Sequence, residues 1–259
     1  MPEGDTIHRA ALSLDKALRG REASELRADG IPGPRPAVPV TVVGVEARGK
    51  HLLMGFEDGI TLHTHMGMNG SWHIYHPGER WRVPAHRARV VVRTSGLEAV
   101  CFSPQVAELL RTKDLATHRQ LSRLGPDLSR ADTDLDEAAQ RLAGVPGAEV
   151  GVALLDQRVA SGIGNVYRSE ILFLAGVHPF SPVGSLGPDV GRKLMDIASR
   201  LLRANLGSVR RTTVAEGLAV YDRTGRPCVR CGTVVRSARQ GTQARMVYWC
   251  PFCQPEVSG

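Results

Sequence analysis

Residues 228–253 read CVRCGTVVRSARQGTQARMVYWCPFC. Cys228, Cys231, Cys250 and Cys253 thus form C-x2-C-x18-C-x2-C. Each C-x2-C half can place two thiolates on one metal ion, and two halves complete a tetrahedral site. Four protein ligands leave no open coordination position, so the spacing predicts one structural zinc ion and not a catalytic one. Between the pairs, TVVRS and RMVYW flank a polar turn around Gly241, the pattern of a β-hairpin held by the metal. From Arg223 to Trp249 there are six arginines and no acid. A small hairpin with a surface of one charge sign suits nucleic-acid phosphate. A bare zinc ribbon serves equally well as a protein-binding module. Cys101 lies alone in a strand pattern and reads as core. Four of five cysteines gathered at one end suggest metal binding in a reducing compartment, not a disulfide framework.

Upstream of the cysteines the pattern is helical. DTDLDEAAQRLAG (132–144) carries a capping Asp or Thr. SGIGNVYRSEILFLAG (161–176) holds Gly162, Gly164 and Asn165 where a helix begins and Gly176 where it ends. GPDVGRKLMDIASRLLRANLG (187–207) has an apolar stripe at Val190, Leu194, Ile197 and Leu201, with Pro188 at a first-turn position. The glycines before Asn165 permit close approach of a phosphate to a helix N-terminus, with Asn165 as a further donor and Arg168 one turn on. An ordinary glycine turn between helices is the competing reading.

Toward the N-terminus the period changes to two. VTVVGVEA, HLLMGF, ITLHTHM, GSWHIY, ARVVVRT and EAVCFS are short runs separated mostly by glycine turns, which predicts an antiparallel sandwich or barrel. Ahead of them, residues 5–19 form an amphipathic helix pattern with Ile7, Ala11, Leu14 and Leu18 on one face, Asp5 or Thr6 as cap and Gly20 at its end. The fold class expected is therefore multidomain α+β. Its parts are a β-sandwich with a leading helix over 1–118, a helical domain over 119–215 and a four-cysteine zinc hairpin over 216–259.

The chain has 259 residues and 42% apolar content, enough for sizeable cores, and a net charge of +7. That charge favours an anionic partner, nucleic acid before membrane. No apolar run approaches the ~18 residues of a membrane span, and the acidic start at Glu3 and Asp5 does not resemble a signal peptide. A cytoplasmic protein is expected.

The first residues, MPEGDTIHRA, allow chemistry. If methionine is removed, Pro2 becomes a terminal secondary amine, able to form an iminium with a sugar aldehyde carbon as lysine does in Schiff-base enzymes. An α-amino group titrates near ~8, and the positive end of the following helix lowers that further. Glu3 could move protons at the same centre, and Gly4 lets the two groups turn toward one site. A tail without chemical role is the alternative.

Taken together, these pieces resemble the formamidopyrimidine-DNA glycosylase/endonuclease VIII family, bifunctional DNA glycosylase/AP lyases. The resemblance rests on MPEG at the start, RGKHLL (48–53), HMGMNGSW (65–72), SGIGNVYRSEILFLAGVHP (161–179) and the cysteine element carrying QARMVYWCPFC, in that order, and is stronger toward the endonuclease VIII branch. It implies a helix-two-turn-helix fold for the middle domain and base excision repair as the function, with oxidised bases removed (pyrimidines favoured) and the abasic strand cleaved by β,δ-elimination. It also implies a role for each matching residue. Pro2 is the nucleophile at C1′, and Glu3 the general acid/base. Lys50 contacts phosphate and assists proton transfer. Met68 fills the gap left by the flipped nucleotide, as apolar wedges do. Asn165 binds the DNA backbone, and Arg245 binds phosphate and assists elimination; Arg168, from the reading of the helix start alone, is expected as a further DNA contact. The partner implied is double-stranded damaged DNA, bound by a monomer acting on the bacterial nucleoid.

Two departures from the family pattern stand out. Thr6 replaces a glutamate, and near FSPQVAELL (102–110), where a second gap-filling segment of the family aligns, no arginine or aromatic residue stands at the expected place. Two rivals remain: a DNA-damage-binding protein of the same architecture without catalysis, and an N-terminal-proline tautomerase of small keto acids, in which the zinc hairpin has no place.

Overall fold

The computed structural model describes residues 2–256. The chain forms two compact units, residues 1–122 and 123–259. The first opens with helix α1 (Gly4–Leu18), whose Ile7, Ala11, Leu14 and Leu18 are all buried. Nine strands follow: β1 (Glu22–Ala23), β2 (Glu25–Arg27), β3 (Val40–Arg48), β4 (His51–Phe56), β5 (Ile60–His65), β6 (Ser71–Tyr75), β7 (Ala88–Arg93), β8 (Glu98–Phe102) and β9 (Val106–Arg111). They pair antiparallel in two sheets, ordered β1-β3-β4-β5-β9 and β2-β7-β8-β6.

The sandwich core joins both sheets and α1. Val42, Leu52, Met54, Phe56, Leu62 and Leu109 from one sheet meet Val90, Val92, Ala99 and Cys101 from the other. Cys101 is fully buried, as its strand position suggested. Helix α1 is tied to β3 by Asp15, whose carboxylate accepts from Val45 N at 2.7 Å, and by Arg19, which donates to Val43 O at 3.1 Å. Because side chains alternate along a strand, burying Leu52, Met54 and Leu62 inside leaves His51, His63 and His65 together on the sheet's other face.

Three strands are not evident from sequence. Strands β1 and β2 are only two and three residues long. Strand β9, reading VAELLR, is rich in good helix formers, and its pairing with β5 overrides that preference. Within FSPQVAELL, Ser103–Gln105 alone joins β8 to β9, with Ser103 at φ 43°.

The second unit holds α2 (Leu135–Ala143), α3 (Val150–Ala153), α4 (Asn165–Ala175) and α5 (Val190–Ala204), then β10 (Arg236–Gln240) paired with β11 (Arg245–Trp249). Asp134 caps α2 by accepting from Asp136 N and Glu137 N. Helix α4 ends at Gly176 in the left-handed conformation. Pro188 lies just before the Asp189 N-cap of α5, not in its first turn. Leu194, Ile197 and Leu201 of the expected stripe pack against Leu142, Leu154, Ile163 and Ile171. A second cluster joins Phe173 of α4 to Ala219, Val220, Cys228, Val235 and Cys250, so the hairpin shares a core with the helices. No helix among the described residues is long and apolar enough to cross a membrane.

Candidate active site and metal centre

Pro2 is partly buried and stands directly before the helix. Glu3, not Asp5 or Thr6, is the N-cap of α1. Its carbonyl accepts from Thr6 N at 3.0 Å and Ile7 N at 3.1 Å, and its side chain is fully buried. The helix therefore fixes the Glu3 backbone, and its positive end faces the Pro2–Glu3 segment. Asp5 and Thr6 lie inside the first turn, where Thr6 Oγ1 donates to Asp5 Oδ1 at 3.3 Å. Methionine removal concerns Met1, which lies outside the described residues.

Lys50 sits in the two-residue turn between β3 and β4, whose closing pair is Arg48 and His51. Gly49, the first turn residue, has φ 57°, the left-handed conformation that a tight hairpin asks of glycine. Met68 lies in the 66–70 connection between β5 and β6, closed by Gly70 N donating to Met66 O at 2.9 Å. It is 74% exposed, so a long apolar side chain projects from a loop into solvent.

Between these two turns lies a polar network that sequence reading missed. His51 Nδ1 is 2.8 Å from His63 Nε2, and His63 Nδ1 is 2.8 Å from Glu108 Oε1. The same carboxylate oxygen is 3.1 Å from His118 Nε2. His65 stacks at a tilt on His51, with ring centroids 4.8 Å apart, and its Nδ1 accepts from Gly67 N at 3.2 Å. Burial is the first cause of lowered pKa at His51 (to about 2) and His65 (to about 4), reinforced at both by Lys50 and His63. Burial also lowers His63, opposed by the Glu108 carboxylate. The signal available in sequence was HTH at 63–65 following His51, a period-2 placement of imidazoles, but their partners depend on strand register.

In the second unit Asn165 opens α4, and both ends of its amide are engaged. Nδ2 donates to Met246 O at 2.8 Å, and Oδ1 accepts from Arg168 Nη2 at 2.5 Å. Arg168, expected as a DNA contact, has no exposed surface. Its guanidinium donates to Met246 O at 2.7 Å and to Gln240 Oε1 at 3.2 Å. That corrects the expectation: a fully buried guanidinium spent on the β11 backbone holds the hairpin against α4 and does not reach solvent. Gln240 completes the joint by donating to Glu149 Oε2 at 2.9 Å and Pro179 O at 2.8 Å. Arg245 is exposed and begins β11, opposite Gln240 at the turn end of the hairpin. Glu170, also fully buried, accepts from Ala219 N, Val220 N and Tyr221 N at 2.8–2.9 Å and from Thr213 Oγ1, fastening the segment that leads to the cysteines.

The four cysteines converge. Their sulfurs all lie within 4.8 Å of one another, with Cys228–Cys253 at 3.9 Å and Cys231–Cys250 at 3.5 Å. A tetrahedral site with thiolates at about 2.3 Å needs sulfur separations of about 3.8 Å, so the donor set fits a single metal ion. Arg230 N and Cys253 N point at Cys228 Sγ and Cys250 Sγ at 3.4 and 3.5 Å, donors of the kind that stabilise thiolate charge.

Comparison with known proteins agrees with this layout. The family model described as formamidopyrimidine-DNA glycosylase N-terminal domain matches residues 1–105, and the formamidopyrimidine-DNA glycosylase H2TH domain matches 124–215. The chain is 46% identical to the probable endonuclease 8 2 of Streptomyces coelicolor, over 98% of this chain and 94% of that one. It is 37% identical to the DNA-(apurinic or apyrimidinic site) lyase Nei2 of Mycolicibacterium smegmatis, over 98% and 99%. Among solved structures, Lactococcus lactis formamidopyrimidine-DNA glycosylase bound non-covalently to DNA containing an AP site superposes with TM-score 0.86 at 21% identity, covering 98% of this chain and all of that one.

Proposed function

The chain belongs to the formamidopyrimidine-DNA glycosylase family, the DNA glycosylase/AP lyases of base excision repair, and from that premise we propose that its reaction runs through Pro2. The Pro2 amine, freed by methionine removal, attacks C1′ of the damaged nucleotide and the base leaves. Loss of the base and opening of the sugar ring give an iminium at C1′. The iminium acidifies C2′–H and makes the 3′ phosphate a leaving group; β- and then δ-elimination cleave the strand without a metal in any step. Glu3 exchanges the protons of ring opening and base departure. Lys50 contacts phosphate and assists proton transfer. Met68 enters the duplex where the nucleotide has been flipped out. Asn165, through the helix N-terminus it opens, and Arg245 bind the DNA backbone, and Arg245 assists elimination. Zinc at Cys228, Cys231, Cys250 and Cys253 has a purely structural role, keeping the Arg245 hairpin folded.

The substrate class is double-stranded DNA carrying oxidised bases, pyrimidines before purines, bound by a monomer in the cytoplasm. The three segments 1–118, 119–215 and 216–259 divide the work into catalysis, DNA binding and metal-held phosphate contact. The observation that carries this reading is the N-terminus itself: Pro2 stands directly before a fully buried glutamate that is the N-cap of a helix. Borohydride added during reaction with a damaged duplex should trap a covalent protein–DNA adduct whose peptide map ends at Pro2. Fully active protein that retains Met1 by mass spectrometry would remove Pro2 from the mechanism.

A further inference from the structure

The tautomers of the histidine network follow from its backbone donors. An amide N–H can only donate, so His118 Nδ1, 3.3 Å from Leu121 N, carries a lone pair and its proton sits on Nε2, the atom facing Glu108. His63, Glu108 and His118 lie close enough together to suggest a metal site. A metal would need the His118 Nε2 lone pair, which that tautomer does not offer. The Glu108 carboxylate oxygen instead accepts two N–H bonds, one from His118 Nε2 and one from His63 Nδ1. With its proton on Nδ1, His63 presents the Nε2 lone pair to His51. His51 must then donate from Nδ1, and its own lone pair is left on Nε2.

Each ring along this path is orientated by the next, in the manner of a carboxylate that orients and fixes the tautomer of a catalytic imidazole. The two ends differ. His51 is 6% exposed and adjoins Lys50 in the β3–β4 turn. The Glu108 side chain is 24% exposed and the His118 side chain 16%, so that end meets solvent. The charged and titratable groups facing the path are Lys50 from the turn, His65 from β5, Glu108 from β9 and His118 from the segment after β9.

We infer that His51, His63 and Glu108 form a proton relay that draws a proton from the Lys50 ammonium and delivers it to solvent. The inference rests on the placing of Lys50 in the reaction under the proposed function. One proton enters as one leaves at every station. An N–H bond at Lys50 Nζ breaks as one forms at His51 Nε2. His51 Nδ1–H passes to His63 Nε2, His63 Nδ1–H passes to Glu108 Oε1, and the Glu108 acid releases its proton to water. No electrons change hands. Lys50 is left as a free amine, able to take a proton from the Pro2 amine or from C2′–H. Burial keeps the imidazoles neutral at rest, so His51 Nε2 stays an acceptor. His51, His63 and Glu108 are positioning residues, because they act through Lys50.

Glu108→Gln keeps an oxygen that accepts both N–H bonds and removes the proton acceptor. Single-turnover cleavage of preformed abasic DNA should slow by at least about tenfold in dilute buffer, with its pH profile displaced. Added imidazole should restore much of the rate, while the parent stays insensitive to buffer concentration and the borohydride-trapped yield at long times is unchanged. Two results would overturn the relay: a parent-like rate and profile in Glu108→Gln, or a loss that no buffer rescues. A second measurement needs no variant. The parent's rate against the deuterium fraction of the solvent should bow, as several protons move together, and a straight line would overturn the relay too. Absence of any trapped adduct in the parent would instead strike at the Pro2 reading beneath it.

Discussion

Glu3 has no exposed surface and stands one residue beyond Pro2, the proposed nucleophile, where a carboxyl is suited to moving protons. Glu3→Gln preserves its volume and its backbone role as N-cap, and removes the acid. We expect excision of a damaged base to fall by about 10²-fold or more, while cleavage of a preformed abasic site, which needs no base departure, keeps part of its rate. Single-turnover assays on both substrates check this, and equal rates for variant and parent on the damaged base would refute it. Pro2, Glu3, Lys50 and Met68 could be proposed from sequence because each sits in a short local motif. The His51–His63–Glu108–His118 chain could not, because its successive members are 10 to 45 residues apart and meet only through the fold. A one-residue slip in strand register would send every imidazole on the strands to the opposite face, so no local pattern could reveal it. Arg168 was legible as a helix residue and misread as a contact. Its burial depends on how β11 docks, which lies 77 residues away in sequence.

At the scale of elements, the start of α2, the end of α4 and the cysteine hairpin were readable from caps, glycines and spacing, whereas the caps of α1 and α5 were misplaced and β9 was hidden by helix-forming residues that only pairing with β5 makes extended. The joint between α4 and β11 yields a contrast between two arginines. Arg168→Met takes the guanidinium away from Asn165 Oδ1, Gln240 Oε1, Arg245 O and Met246 O, of which Met246 O keeps its bond from Asn165 Nδ2. Leaving buried polar groups unsatisfied costs about 1–3 kcal/mol each where they cannot re-pair, so melting temperature should drop by several degrees. Arg245→Met, at an exposed position, should leave melting unchanged. It should weaken DNA binding and make the dependence of log K on log salt shallower by about 0.9, the loss of one phosphate contact. Thermal melts and binding titrations at several salt concentrations separate the two. Normal stability in Arg168→Met would show that the hairpin does not need its buried cation.

For the whole molecule, acid sensitivity follows from the histidines that burial keeps neutral. His51, His63, His65, His73 and His178 all have lowered pKa values, with desolvation as the first cause at each. In the unfolded chain these groups titrate near 6.5, so below that pH the unfolded state binds more protons than the folded one. Stability therefore rises with pH across this window. The contribution is fully present above 6.5 and is lost as pH falls toward about 4 for His65 and about 2 for His51. Each such group removes up to about 1.4 kcal/mol per pH unit within its window. The lowered carboxylates Asp15 and Asp156 act in the same direction at lower pH: at Asp15 burial raises the pKa but the bonds from Arg19 and Val45 N outweigh it, and at Asp156 the bond to Arg158 leads. Melting temperature should thus decline from pH 7.5 to pH 5, and the decline should be shallower in His51→Leu even though that variant starts from a lower value. A flat or rising melting curve over that range would mean that the imidazoles take up protons without unfolding. In that case they could not hold the single tautomer on which a directed relay depends.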